Sequence, residues 1–284
     1  MKPMPTEAEV AAMQAKYGLS YHVNYAMHAQ QMVGLEGKRV LEVGGSLPRE
    51  FALQDLGASR WIALEHREYW DEVLSTGNVT GTPPEMDAAG KGGAARADDY
   101  QVQFGSIEKL PDNLAGAFDV VFSIAAFEHI ARLPESLEQM HRALVPGGKL
   151  FSLFAPIWSS HSGHHMPDIT DQSGTVWTVN NSPVPPWGHL LYRPMELYDL
   201  LRQRMDAQTA RELVYFVYGS PHINRLFLED YVDIVSRSSF TVRIMAPQWA
   251  YPVPGHLQAQ LAAMLPKRSD FSSCGLLLVL ERTR

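Results

Sequence analysis

The chain has 284 residues, of which 45% are hydrophobic and 19% charged, and its net charge is −7. That length buries one large core, and the acidic balance excludes a general binder of nucleic acid or anionic membrane. A single cysteine, Cys274, rules out an intramolecular disulfide and fits a reducing, cytoplasmic setting.

The first residues hold acids and prolines without an apolar stretch, so no signal peptide is expected. The apolar runs fall far short of the roughly 18 residues that cross a membrane. Residues 6–16 read as a helix, with Thr6 as N-cap and Glu9 completing a capping box. A second helix is expected from Tyr21 to Met32. Gly34 follows it, and Gly37 turns the chain into a first strand, 39–43. A helix near 48–56, a strand 60–65 and a helix near 68–75 come next. The stretch 76–97 is rich in Gly, Pro and Ala and poor in large apolar residues, so it reads as a mobile loop or lid.

Strands follow at 100–104 and 118–124. An amphipathic helix is expected over 134–144, with Leu137, Met140 and Leu144 at helical spacing. Pro146-Gly147-Gly148 ends it and feeds a strand, 149–154. Apolar strands alternating with helices predict an α/β fold. It is Rossmann-like and doubly wound, with a mostly parallel seven-stranded sheet and a cap inserted after strand five. Residues 156–192 then break the pattern with five prolines, four histidines and three tryptophans. A helix at 194–204, a helix near 226–237, and strands at 240–246 and 275–280 complete the chain. The organisation expected is N-terminal helices (1–36), a ligand-binding core (37–156), a cap (157–225) and a C-terminal completion of the sheet (226–284).

The most informative run is Val40-Leu41-Glu42-Val43-Gly44-Gly45-Ser46. It reads as a buried strand ending in a tight turn that lets backbone approach a ligand. About 20 residues on, the run 61–64 ends at Glu65, a carboxylate placed to accept the hydroxyls of a ribose. Ser46-Leu47-Pro48 does not continue as G-x-G-x-x-G, so no pyrophosphate cradle is formed. A nucleoside ligand without phosphates fits better, and S-adenosylmethionine is the common one.

Three further runs stand in order behind these: Gly105-Ser106-Ile107-Glu108-Lys109-Leu110-Pro111, Phe118 to Ser123 continuing to Phe127-Glu128-His129-Ile130, and Leu144 to Leu150. Together the five resemble the class I S-adenosylmethionine-dependent methyltransferases, particularly the small-molecule group with sugar and natural-product enzymes. The resemblance covers about residues 37–156. The chain departs from the pattern where Ser46, Leu47 and Pro48 replace later glycines, and where Ser106 replaces the usual Asp beside the adenine.

The resemblance implies S-adenosylmethionine as cofactor and S-adenosylhomocysteine as product. It implies Glu42, Gly44, Gly45 and Ser46 at the methionine end and loop, and Glu65 with His66 at the ribose. Ser106 and Ile107 would meet the adenine, and Ser123 and Ala125 would line the exit of strand four. Each has a plainer reading. The glycines also suit a bare turn, and Glu65 also suits a surface pair with Arg60 or Arg67.

His129 follows strand four near the reactive methyl, where an imidazole could deprotonate an acceptor. His164, His165 and His189 hang over the strand ends and could supply the base, or could simply pin the loop to backbone. With Asp168 they could bind a divalent metal. Without a compact ligand motif, metal is not favoured. Tyr17, Tyr21, His22 and Tyr25 are expected to cover the site or to pack as a seam. Residues His222 to Leu226 either return to the cleft or cap the following helix.

The expected activity is methyl transfer to a small molecule, favoured on oxygen of a sugar-like or secondary-metabolite hydroxyl or carboxylate. N- or C-methylation is the alternative. A nicotinamide-dependent oxidoreductase, a non-catalytic S-adenosylmethionine-binding protein and an RNA or protein methyltransferase are the competing classes. The partner expected is a small-molecule acceptor, with no nucleic acid and no membrane; a homodimer stays open.

Overall fold

The computed structural model describes residues 4–66 and 99–283. The helix expected near 68–75 and the lid expected over 76–97 lie outside the described residues. Helix α1 (Glu7–Tyr17) starts at the Thr6–Glu9 capping box and stops at Gly18, and α2 (His22–Met32) follows. Strands β1 (Arg39–Val43), β2 (Arg60–Glu65), β3 (Tyr100–Phe104) and β4 (Phe118–Ile124) come next. Helix α3 (Leu133–Ala143) then leads into β5 (Leu144–Phe154). A small hairpin, β6 (Ile169–Thr170) with β7 (Val176–Trp177), opens the cap. Helices α4 (Gly188–Leu191), α5 (Pro194–Leu201), α6 (Ala207–Tyr218) and α7 (Leu228–Arg237) follow. Strand β8 (Thr241–Ala250), helix α8 (Gly255–Met264) and strand β9 (Ser273–Glu281) close the chain.

The main sheet has seven strands in the order β3-β2-β1-β4-β5-β9-β8. The first five are parallel, and β9 runs antiparallel to both β5 and β8. Side chains alternate between faces along a strand. On β9, Leu276, Leu278 and Leu280 join one apolar cluster with α3 and α7, while Leu277 and Val279 join the other with α2. Both faces are therefore dry, which is why these strands read as unbroken apolar runs. A third cluster belongs to the cap. It gathers Trp158, Trp187, Leu197, Leu213, Val217 and Leu261 away from the sheet.

Several boundaries differ from the sequence reading. The helix expected near 48–56 spans residues 49–55 and is π-type over Phe51–Asp55; Pro48 heads it, its carbonyl accepting from Ala52 N–H. Strand β5 begins at Leu144, not 149, because Leu144 pairs with Phe118 across a bulge. Strand β8 runs on to Ala250, and α5 stops at Leu201, short of 204. Three helices are absent from the sequence reading, the single turn α4 among them. Helix α6 carries the signal: Asp206 accepts from the N–H of Gln208 and Thr209 as its N-cap. Helix α8 carries little, since Leu261 is its one buried residue.

The order of the strands reverses between β1 and β4, so the crevice for a ligand opens at their carboxyl ends. Their opposite ends are tied by Asp119. It accepts from the backbone N–H of Arg39 and, bidentately, from its guanidinium at 2.9 and 3.0 Å. The guanidinium holds the Asp119 carboxyl below its ordinary pKa. Its contribution is therefore present above the usual carboxylate range and lost as pH falls through the lowered value. Asp119→Ala is expected to lower the urea midpoint by the equivalent of about 1–2 kcal/mol near neutrality, because the pair is partly exposed. The difference from wild type shrinks in acid.

Candidate active site

Gly44, at the end of β1, has φ +76°, and a Cβ there would lie 2.5 Å from Cβ of Ala126. No other residue type fits that backbone without displacing the β4 exit. The turn that follows is held from below by Glu42. This carboxylate is buried, and it accepts from Leu47 N–H at 3.0 Å and from the Trp61 indole at 2.6 Å. Tyr100 donates to the Leu47 carbonyl at 2.7 Å, so the loop is clamped from both sides.

Burial pushes the Glu42 carboxyl up to about 8; the two donors lower it, and the charge of Glu65 adds to the rise. Glu65 sits buried at the end of β2. Two carboxylates thus share the ends of neighbouring strands, and His66 beside them is exposed. Gly45 and Ser46 are half-buried at the mouth of the turn. Ser106 caps the turn Ile107–Lys109 by accepting from Glu108 N–H at 3.2 Å, and Ile107 is buried. At the β4 exit Ala125 has φ +46°. Ser123, expected at that exit, is fully buried and donates to the Val43 carbonyl at 2.8 Å, within the β1–β4 seam.

The turn Phe127–His129 directly follows β4. Glu128 is fully buried, and neither of its oxygens makes a well-formed hydrogen bond among the described residues. Burial pushes its carboxyl up to about 8, although the amides of Glu128 and Ala155 act against the shift. Helix α2 lies over it. Burial first, and then the charge of Glu128 (for Tyr25 that of Tyr21 as well), pushes the Tyr21 and Tyr25 phenols up to about 12. Tyr25 stacks on Trp249 with ring centroids 5.6 Å apart, and Tyr17 packs on Phe51 and donates to Asp55.

The segment 222–226 does both things expected of it. It returns to the cleft: Asn224 donates to the Phe127 and Ile130 carbonyls, and its own N–H reaches the Glu128 carbonyl. It also prepares α7, since Asn224 accepts from Leu226 N–H and the Tyr231 hydroxyl. Arg225 donates to the Phe216, Val217 and Ser220 carbonyls and so closes the end of α6.

The four expected catalytic histidines separate into two groups. His129 and His165 meet each other and His222, with ring centroids 4.7 and 4.5 Å from His129. His164 and His189 lie elsewhere, in the cap. His189 donates to the Trp158 carbonyl at 2.7 Å, and His164 accepts from Met166 N–H. Desolvation, as the first cause throughout, depresses the pKa of His129 to about 3, His164 to about 4, His189 to about 3 and His222 to about 4. Asp168 is exposed and apart from both groups. His222 was not among the expected catalytic residues, and its polar setting between apolar runs was the one signal for it. An open cleft of about 380 Å³ between α3 and α7, lined by Glu138 and Arg237 among others, shares no residue with this site.

A sheet of this order, with its crevice at the β1–β4 reversal, is the class I methyltransferase fold. Residues 66–152 match the family model described as a methyltransferase domain. Over that segment the chain is similar to the methyltransferases. No curated protein matches it. Among solved structures it is similar to an S-adenosylmethionine-dependent methyltransferase from Mesorhizobium loti. There the identity is 15%, with 93% of this chain and 98% of that one covered and a TM-score of 0.48. A Haloferax volcanii structure of the Trm112 methyltransferase activator with its partner gives 16% identity, coverage of 98% and 95%, and a TM-score of 0.46. The YcgJ protein of Bacillus subtilis gives 12%, coverage of 91% and 96%, and 0.41. No helix among the described residues is long and apolar enough to cross a membrane.

The Glu42 carboxyl yields a stability test. Its folded pKa lies above the unfolded one, so its contribution is fully present below about pH 4.5. The contribution is lost as pH rises toward about 8. Wild type is expected to lose stability over that window, by at most about 1.4 kcal/mol per pH unit from this group. Glu42→Gln keeps an acceptor for Leu47 and Trp61 and flattens the loss. Thermal melts across the window read both.

Proposed function

We propose that the chain transfers a methyl group from S-adenosylmethionine to an oxygen of a small cytoplasmic acceptor. The acceptor is a hydroxyl or carboxylate on a sugar-like or secondary-metabolite scaffold. One observation carries this reading. The crevice has a backbone cradle at Gly44 and a buried carboxylate at Glu65 on one side, and a cluster of imidazoles beside the β4 exit on the other. The cradle fits the cofactor, because it is kept open by a position that a Cβ would fill.

On this reading Gly44, Gly45 and Ser46 admit the methionine end, with Ala125 facing it. Glu65 and His66 hold the ribose, and Ser106 and Ile107 the adenine. Glu42 and Ser123 act as positioning residues, since their polar atoms are already bonded to the loop and the seam. When bound, the cofactor supplies a sulfonium methyl: as the oxygen–carbon bond forms, the carbon–sulfur bond breaks and sulfur keeps the electron pair. The protein aligns the acceptor, excludes water and receives its proton.

His129 is the base of this scheme. A carbonyl can only accept, so the 2.6 Å contact of Nδ1 with the His222 carbonyl puts the proton on Nδ1 and leaves Nε2 as the lone pair. His165 stands beside it. His164 and His189, held to cap backbone, position the loop that carries His165. We place the working units as α1 and α2 over the site, a core of 37–156, and a cap of 157–225 against which α8 packs.

Two measurements test this. Calorimetric titration is expected to give micromolar binding of S-adenosylmethionine and S-adenosylhomocysteine. Glu65→Ala should weaken it about 10- to 100-fold, the scale of charge-assisted hydrogen bonds. Absence of binding to wild type overturns the reading. In an acceptor screen, His129→Ala should lower kcat about 100-fold or more while leaving cofactor affinity unchanged.

A further inference from the structure

We propose that His129, His165 and His222 form a binding site for one divalent transition-metal ion of the zinc, cobalt or nickel class. One ring nitrogen from each residue lies within 4.8 Å of the other two. Nitrogens bound tetrahedrally at about 2.0–2.1 Å from a metal stand about 3.4 Å apart. Rotation of the imidazoles closes the remaining distance. Three imidazoles and no carboxylate suit zinc, nickel or cobalt over magnesium or calcium.

Four observations argue that the set is built rather than accidental. The three residues come from separate segments: the turn after β4, the first loop of the cap, and the segment leading to α7. The Nδ1–H of His129 is fixed on the His222 carbonyl, the orienting bond a metal-ligating imidazole needs on its other nitrogen. His165 has φ +45°, a strained backbone for a residue other than glycine. Its Nδ1 is buried without a hydrogen-bond partner among the described residues. The strain is imposed by the loop before it, where a Cβ on Gly163 would sit 2.5 Å from the Ile157 and Trp158 carbonyl oxygens. The loop closes that tightly only with glycine there, and it delivers His165 to the other two rings.

Three protein ligands leave a coordination position open. His129 stands in the turn directly after β4, the side where the acceptor oxygen is expected. With the His129 lone pair on the ion, the metal takes the place of His129 as the activating group: it would bind that oxygen and lower its pKa, and the proton would pass to water rather than to His129. This use rests on the methyl-transfer reading; the binding of the ion does not.

The test uses the full chain stripped with a chelator and titrated with Zn²⁺ and with Co²⁺ alone. The expected result is one ion per chain and the visible bands of four-coordinate Co²⁺. X-ray absorption of the zinc-loaded wild type should count three imidazole nitrogens, which needs no variant to fold. His165→Ala and His222→Ala should each weaken binding on the order of 100-fold. His256→Ala, on exposed α8, should not change it. A substoichiometric ion, a ligand set without three imidazoles, or unchanged affinity in both variants overturns the site. Cofactor calorimetry separates the two readings. Cofactor binding without metal binding refutes the metal site alone. Metal binding without cofactor binding upholds the site and refutes its proposed use.

Discussion

The buried carboxylate of Glu42 is the interaction on which the crevice depends. It sits near the end of β1, where the strand order reverses, and it is held by one amide and one indole. Desolvation is costly enough to shift its pKa to about 8, so the fold keeps it there against a strong preference for water. In return the turn after β1 is fixed at Leu47, and Gly44 and Gly45 present backbone to the ligand side. Glu65 stands one strand over, and its charge adds to the same cost.

The sheet was legible because its strands are apolar on both faces, and such runs are the strongest signal in a single sequence. Order along the chain was legible for the same reason, together with Thr6–Glu9 and Pro146-Gly147-Gly148 as start and stop signals. The cap was legible only as an irregular, histidine-rich stretch. Its helix α6 has a clear N-cap at Asp206, but α8 buries one residue and leaves no stripe to read. The bulge that lengthens β5 depends on pairing with Phe118, and no local pattern encodes a partner 26 residues upstream.

That Gly44, Glu65 and Ser106 stand at or just beyond strand ends was legible from the apolar runs before them. Which of two groups each histidine joins was not, because neighbours in sequence diverge in space. His164 turns into the cap core and His165 toward His129, and the positive φ of His165 separates them. Ser123 reads from sequence as a strand-end contact, yet its hydroxyl is taken by the Val43 carbonyl. The resulting arrangement separates groups by chemistry: acids and open backbone at the ends of β1 and β2, imidazoles beside the β4 exit, and aromatic rings of α2 nearby.

Hydrogen exchange of the full chain with and without S-adenosylhomocysteine tests the central claim most directly, because it reads the whole crevice at once. The account predicts slowed exchange confined to residues 42–47, 65–66, 105–107 and 123–126. Protection centred on another part of the molecule, or none at saturating ligand, would contradict it.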